Sequence, residues 1–294
     1  MRLVIFDDDQ LGLLRGDEVV DATGVLRERG FQSPGVVLPD LIREWEMLAP
    51  ALESLLRRER GRPLATCTLK APVARPGKIV CVPAPPRGAA GSGVARAYLV
   101  APSALTGPAA VVTLPARPVE YGVGVALVLD CAVGAHATVS PVFGYSGAIA
   151  LQVRGWEERS LRGSCPGFLA LGPCLITHDQ LAGPEALTLR AWHNRTPRLG
   201  GGRPPRDERA ASERPVAGGA RRLAPETIAR LLTGLGAWVE WEPGDVLVLG
   251  GFWPARRLAP GDRVQLAVEP LGELVLRAAA TPASVALGAQ AAGT

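Results

Sequence analysis

Lysine is nearly missing from this chain of 294 residues: Lys70 and Lys78 are the two it has, so almost all of its 32 basic side chains are arginine. Chemistry that needs a lysine amine, as a Schiff base or a general base, therefore has two candidate positions. Aromatic residues are sparse, at 5 %. Charge of one sign is lacking too. Thirty-two Lys plus Arg against 28 Asp plus Glu leave +4, too little and too dispersed to argue for a nucleic-acid partner. The five cysteines, at 67, 81, 131, 165 and 174, contain no Cys-x-x-Cys pair, which speaks against a zinc ribbon or a disulfide framework and for a reducing compartment. The longest apolar run, 123–137, is broken by Gly124, Asp130, Gly134 and His136, short of the roughly 20 residues of a membrane helix. Asp7, Asp8 and Asp9 follow too short an apolar stretch for a signal peptide. The expectation is a cytoplasmic protein with neither membrane nor nucleic acid as partner.

What is present is a core-sized supply of apolar residues, 47 % of the chain, punctuated by 35 Gly and 27 Pro. That composition favours short strands and turns over an all-helical bundle. Residues 1–73 read as a small α+β unit, with strands over 3–6, 11–14 and 18–21. A helical face then runs through Leu38, Leu41, Ile42, Trp45, Leu48, Leu52, Leu55 and Leu56, which Pro50 is expected to split in two. Residues 74–282 read as a mainly β domain, with strands over 79–82, 97–100, 111–114, 123–130, 187–192, 246–249, 263–268 and 272–278. One clear helix is predicted there, starting at Pro225 and carrying Ile228, Leu231, Leu232 and Leu235 on one face. Residues 283–294 read as a flexible tail. The stretch 195–222, with eight Arg, three acids and a Gly200–Gly202 run, reads as a mobile loop, either a solvated insertion or an Arg-lined lid.

Several motifs, in order, resemble the fumarylacetoacetate hydrolase family. Pro76-Gly77-Lys78-Ile79-Val80-Cys81-Val82 is similar to the strand that opens its catalytic domain, and Pro102 to Pro108 (PSALTGP) to its PSALTG loop. Phe143-Gly144-Tyr145-Ser146 resembles its GYT turn, Leu171 to Thr177 its LGPWLVT segment, and Pro243-Gly244-Asp245 and Pro260-Gly261-Asp262 its two PGD turns. The start MRLVIF, followed by Gly16 to Asp21, is similar as well. The resemblance implies an α+β, mainly β fold: a mixed β-sandwich or β-roll catalytic domain behind the small N-terminal one, in a homodimer.

The same resemblance marks what has changed. The family holds a divalent metal through a Glu-x-Glu pair and an Asp, because a hard cation wants converging carboxylate oxygens. Those positions fall here on Gly122, Gly124 and Ala150. The family's Asn-Tyr-x-x-His run is replaced by Pro83 to Ala89, its Lys before the PSALTG loop by Val100, and its TGTP motif by Leu249-Gly250-Gly251-Phe252. Metal, base and lysine are thus expected to be absent together, leaving no cofactor and a wider, more apolar pocket suited to a bulky, largely apolar small molecule.

The remaining candidates follow from matching position. Glu120, Arg154 and Glu157 are candidate catalytic groups: Glu120 as acid or base, Arg154 as an oxyanion-binding fork or else a surface ion pair with Glu157 or Glu158. Tyr145, Gln152, Val100, Phe252 and Trp253 are candidate substrate-binding residues. His136, His178 and His193 have no metal-ligand spacing and read as structural or exposed. The expected function is a metal-independent lyase or isomerase step, such as cyclisation or dehydration of a polyketide-like intermediate in specialised metabolism. The alternatives are a non-catalytic ligand-binding relative and a hydrolase, decarboxylase or tautomerase of β-dicarbonyl acids with relocated acid and base.

Overall fold

Val, Leu and Ile recurring between Gly and Pro turns give the chain its strands, and burial on both faces makes most of them near-continuous apolar runs. The computed structural model describes residues 1–31, 38–83, 97–130, 141–155, 161–181, 184–194, 214–215, 224–250 and 256–281. β1 (Arg2–Phe6), β2 (Gln10–Arg15) and β3 (Glu18–Asp21) form an antiparallel meander, followed by α1 (Thr23–Glu28), α2 (Leu38–Arg43) and α3 (Trp45–Arg58). β4 (Arg62–Pro63) returns to pair with β3. β5 (Ile79–Val82), β6 (Tyr98–Val100), β7 (Leu105–Thr106), β8 (Ala110–Leu114), β9 (Val119–Leu129), β10 (Val142–Val153) and β11 (Leu169–Thr177) come next. β12 (Thr188–His193), β13 (Arg214–Pro215), α4 (Pro225–Gly236), β14 (Val246–Leu249), β15 (Arg256–Leu258), β16 (Arg263–Glu269) and β17 (Gly272–Ala280) complete the set.

Two sheets result. The larger runs β4-β3-β2-β1-β11-β10-β9-β14-β5-β6, with β15 on β9 and β7 on β11; the smaller runs β13-β12-β16-β17-β8. β10 and β11 pack against β16 and β17, so one face of the large sheet meets the small sheet. Tyr121, Val123, Val125, Leu127, Ile149 and Leu151 fill that layer together with Leu266, Leu274 and Leu276. The opposite face carries Ala126, Val128, Ala148, Val246 and Val248 and packs under Leu41, Leu48 and Leu52 of the helices. This is the α+β, mainly β architecture expected from the sequence. Among the described residues no helix is long and apolar enough to cross a membrane.

Two local expectations change. The helical stretch breaks at Glu44, and Pro50 lies inside α3. Pro50 forfeits one hydrogen bond, which the full burial of Leu48 and Leu52 on either side outweighs. The GYT segment lies within a strand: β10 runs unbroken through it, with a register shift between Tyr145 and Gly147 that turns the following residues. The 283–294 tail and nearly all of 195–222 lie outside the described residues.

The first PGD turn ties β14 to β5. Asp245, fully buried, accepts from the Lys78 amide (3.0 Å), from Lys78 Nζ (2.6 Å) and from the Glu242 amide (2.7 Å). Burial acts to lower the Lys78 ammonium, but its bonds to Asp245 and Glu242 carry it above its ordinary value. The second PGD turn is similar: Asp262 accepts from Asn194 Nδ2 (2.7 Å) and the Ala259 amide (2.8 Å) and pairs with His193 at 3.0 Å. Burial raises its carboxyl, yet these donors together hold it below its ordinary value.

Replacing Asp245 with Ala orphans a partly buried ammonium and two amides, and is expected to cost about 3–5 kcal/mol in urea unfolding. The Asp262 carboxyl, depressed in the folded state, contributes stability that is fully present above the unfolded value of 3.8 and is lost as pH falls through the folded one. Acid unfolding followed by circular dichroism is therefore expected to shift least, relative to neutral pH, in Asp262→Asn.

Candidate functional site

In β9 and β10 alternate residues share a face, and paired residues point the same way. Gln152 pairs with Glu120, Ala150 with Gly122 and Ala148 with Gly124. The positions that the resemblance matches to the family's metal ligands therefore stand side by side on the helix-facing side of the large sheet. Leu41, Leu48 and Leu52 seal other parts of that face, but Glu120, Gly122, Ala150 and Gln152 are half-exposed, so the helices leave this end of the sheet uncovered.

The two glycines differ. No atom of the described residues stands within 4 Å of where a Cβ on Gly122 would point, so this position opens onto free space. At Gly124 a Cβ would overlap the carbonyl oxygen of Leu249, at the end of β14. β14 lies against β9 in register Leu249 with Val125, and only a residue without a side chain permits that approach. A divalent cation needs several oxygen donors at close range. Gly122, Gly124 and Ala150 offer none, and among the described residues no cluster of three or more His, Cys, Asp or Glu converges. The residues present do not fit a divalent ion at this place.

Of the candidates named from the sequence, Glu120, Gln152 and Arg154 come together on this face, with Val100 beside them. Arg154 pairs with Glu120 at 2.6 Å, across the strands, where the sequence had pointed to Glu157 or Glu158. The guanidinium side is 62 % exposed and the carboxylate 25 %, so this is a solvent-facing pair worth at most about 1 kcal/mol. It nonetheless occupies both charged candidates with one another. Tyr145 is not brought to the site. It pairs with Leu127 and lies in the layer between the sheets, where burial pushes its phenol up to about 12. Glu157, Phe252 and Trp253 lie outside the described residues.

The structure adds two residues to the face. Tyr98, first in β6, belongs to a strand separated from β10 by β5, β14 and β9 in the sheet order, yet its hydroxyl accepts a hydrogen bond from Gln152 Nε2. Arg162 lies over the Tyr98 ring, 5.1 Å from its centroid, and its backbone carbonyl accepts from Val153 at the end of β10. A Cβ at Gly163 would come within 3.0 Å of Tyr98 Cε2, so the chain beside Arg162 also approaches through a glycine. Burial raises the Tyr98 phenol well above its ordinary value, so it stays a neutral hydroxyl; burial likewise pushes the neighbouring Cys81 thiol up to about 12. Strand alternation held a signal for Tyr98, since it lies two residues before Val100 and so shares its face. Arg162 had none.

A surface pocket of about 570 Å³ lies elsewhere, between Leu69–Arg75 and Pro102–Pro108, where Lys70 pairs with Asp9 at 2.9 Å. None of the family-matched metal positions lines it.

A two-sheet β fold of this strand order defines the class, and the sequence comparison agrees. Residues 90–278 match the fumarylacetoacetate (FAA) hydrolase C-terminal family, and the chain belongs to that family. A maleylpyruvate hydrolase of Aquipseudomonas alcaligenes is 27 % identical over 94 % of this chain and 98 % of its own. A human mitochondrial oxaloacetate tautomerase is 26 % identical over 94 % and 90 %. The crystal structure of maleylpyruvate hydrolase from Sphingobium sp. SYK-6, in complex with manganese(II) and pyruvate, superposes with a TM-score of 0.76 at 26 % identity, covering 96 % of this chain and all of that one.

The contrast between the two glycines is testable by thermal unfolding. Gly122→Ala is expected to stay within about 1 kcal/mol of the parent, since its Cβ enters open space. Gly124→Ala, which must push β14 off β9, is expected to lose about 1–3 kcal/mol or more.

Proposed function

We propose that this chain is a metal-independent enzyme of enolate chemistry, carrying out an isomerase or lyase type of step on a small carbonyl compound held where the carboxylates are missing. The observation that carries the reading is the donor set: the positions that the resemblance matches to the family's three acids hold Gly122, Gly124 and Ala150, which bring no donor side chain, and Gly124 has no room for one. The names of the relatives, maleylpyruvate hydrolase and oxaloacetate tautomerase, support a 2-oxo acid or related dicarbonyl as the substrate class. The half-exposed Ala150, set among apolar core residues of the same face, supports a substrate with an apolar body. Cyclisation or dehydration of a polyketide-like intermediate is one form such chemistry takes, since both proceed through an enol or enolate beside a carbonyl. A pocket that fixes one reactive conformer supplies part of the barrier reduction without any ion. A homodimer, the assembly implied by the resemblance, belongs to the same proposal. A second reading, a ligand-binding relative without catalysis, is favoured by the Glu120–Arg154 pair, which neutralises the charged candidates against each other.

Proton NMR in D₂O separates these readings, using oxaloacetate and benzoylacetone as an acidic and an apolar dicarbonyl. With EDTA present, the protein is expected to accelerate deuterium exchange at the carbon between the carbonyls of at least one of them over the protein-free rate. Adding Mg²⁺ or Mn²⁺ is expected to give no acceleration beyond that of the ion alone. Acceleration that appears only with the metal overturns the metal-independent reading, and no acceleration in either condition overturns the enzymatic one.

A further inference from the structure

A pocket that stabilises an enolate needs donors aimed at the oxygen where negative charge gathers. Glu120 is an acid, and Arg154 is already engaged with it at the rim. Deeper on the same face the chain has assembled a different group. Tyr98 stands on the far edge strand in the sheet order and still meets Gln152, one residue pair from Gly122 and Ala150. At about 4.8 Å per strand, a flat sheet would hold β6 and β10 nearly 20 Å apart. The contact therefore requires the sheet to curl over this face.

The local chemistry at Tyr98 is that of a donor. Its oxygen takes one hydrogen bond from Gln152, which leaves the phenolic hydrogen to be given away. Within reach of the hydroxyl, the described side chains include the sulfur of Cys81, a weak acceptor that a ligand oxygen would displace. Arg162 holds a positive charge over the ring, and its Nε is buried without a hydrogen-bond partner among the described residues. An unmet buried guanidinium N–H is costly to leave and points to an acceptor that arrives from outside.

We infer that Tyr98 and Arg162 form an oxyanion-binding pair that does for this chain what a divalent ion does by Lewis acidity, receiving the enolate or carboxylate oxygen of a planar 2-oxo acid or 1,3-dicarbonyl. This rests on the proposed metal-independent reading and names the residues behind it. The phenol O–H and the guanidinium N–H donate to the oxygen, and no proton changes hands. A neutral phenol suits the task, because a phenolate in its place would repel the developing charge. The fork of Arg162 adds the compensating positive charge. Gln152 is a positioning residue that fixes the rotation of the hydroxyl.

Oxalate, a planar mimic of a 2-oxo acid enolate, tests the pair by isothermal titration calorimetry with EDTA present. Wild type is expected to bind, and Tyr98→Phe and Arg162→Gln each to lose at least about tenfold in affinity. A second readout excludes a merely structural role. The chain has three tyrosines, so ¹³Cζ-tyrosine NMR gives three signals, of which the one missing in Tyr98→Phe is expected to shift on adding oxalate to the wild type. Binding by wild type that both variants keep, or a Tyr98 signal that stays in place, overturns the oxyanion pair and leaves the metal-independent reading standing. No binding in either condition overturns the pair alone, and binding that needs added Mn²⁺ overturns the pair together with the reading beneath it.

Discussion

The close approach of β14 to β9 at Gly124 is the constraint on which the rest of the site depends. The Leu249 carbonyl occupies the space a side chain at 124 would need, so a glycine there is a condition of how the sheet closes. β5 runs parallel to β14 and β6 pairs with β5, so where β14 lies decides where both of them go. The buried Asp245 fixes the other end of this assembly by joining Lys78, at the start of β5, to the turn that begins β14. With both ends held, the edge strand β6 leans over the face of β9 and β10 until Tyr98 touches Gln152.

That geometry gives a physical account of how a family site changes character. In the proposed reading, loss of one carboxylate would weaken a metal site, whereas loss of three, one of them to a backbone contact, takes away the donor set altogether. The manganese and pyruvate seen in the maleylpyruvate hydrolase of Sphingobium sp. SYK-6 belong to that protein. In this chain the same region presents glycine, alanine and valine beside a buried phenol and a guanidinium. The shared fold places the site, while the residues in it decide the chemistry.

Much of the framework was legible in the sequence. Alternating apolar residues between Gly, Pro and Asp turns marked β5, β8, β12, β14, β16 and β17 to within a residue or two, and Pro225 marked the start of α4. β10 and β11 were not found as strands. Their Gly and Ala content lacks the β-branched signature, and it is burial between neighbouring strands that makes them extended. Pro50 misled because packing of Leu48 and Leu52 overrides a local rule. The gathering of Glu120, Gln152 and Arg154 on one face was readable from matching positions. The partner of Arg154 was not, since cross-strand register brings Glu120 to it from 34 residues away. Tyr98 had a signal in its alternation with Val100, but its meeting with Gln152 and Arg162 is a product of tertiary packing, which no short window of sequence encodes.

The central proposal is that the face formed by Gly122, Gly124 and Ala150 holds no divalent ion. It is tested most directly by a crystal structure of the protein grown or soaked with excess MnCl₂, with anomalous scattering measured at the manganese edge. The account predicts no anomalous peak between β9 and β10 at those three residues. An ordered manganese there, coordinated by backbone carbonyls, waters or side chains from elsewhere in the chain, would contradict it.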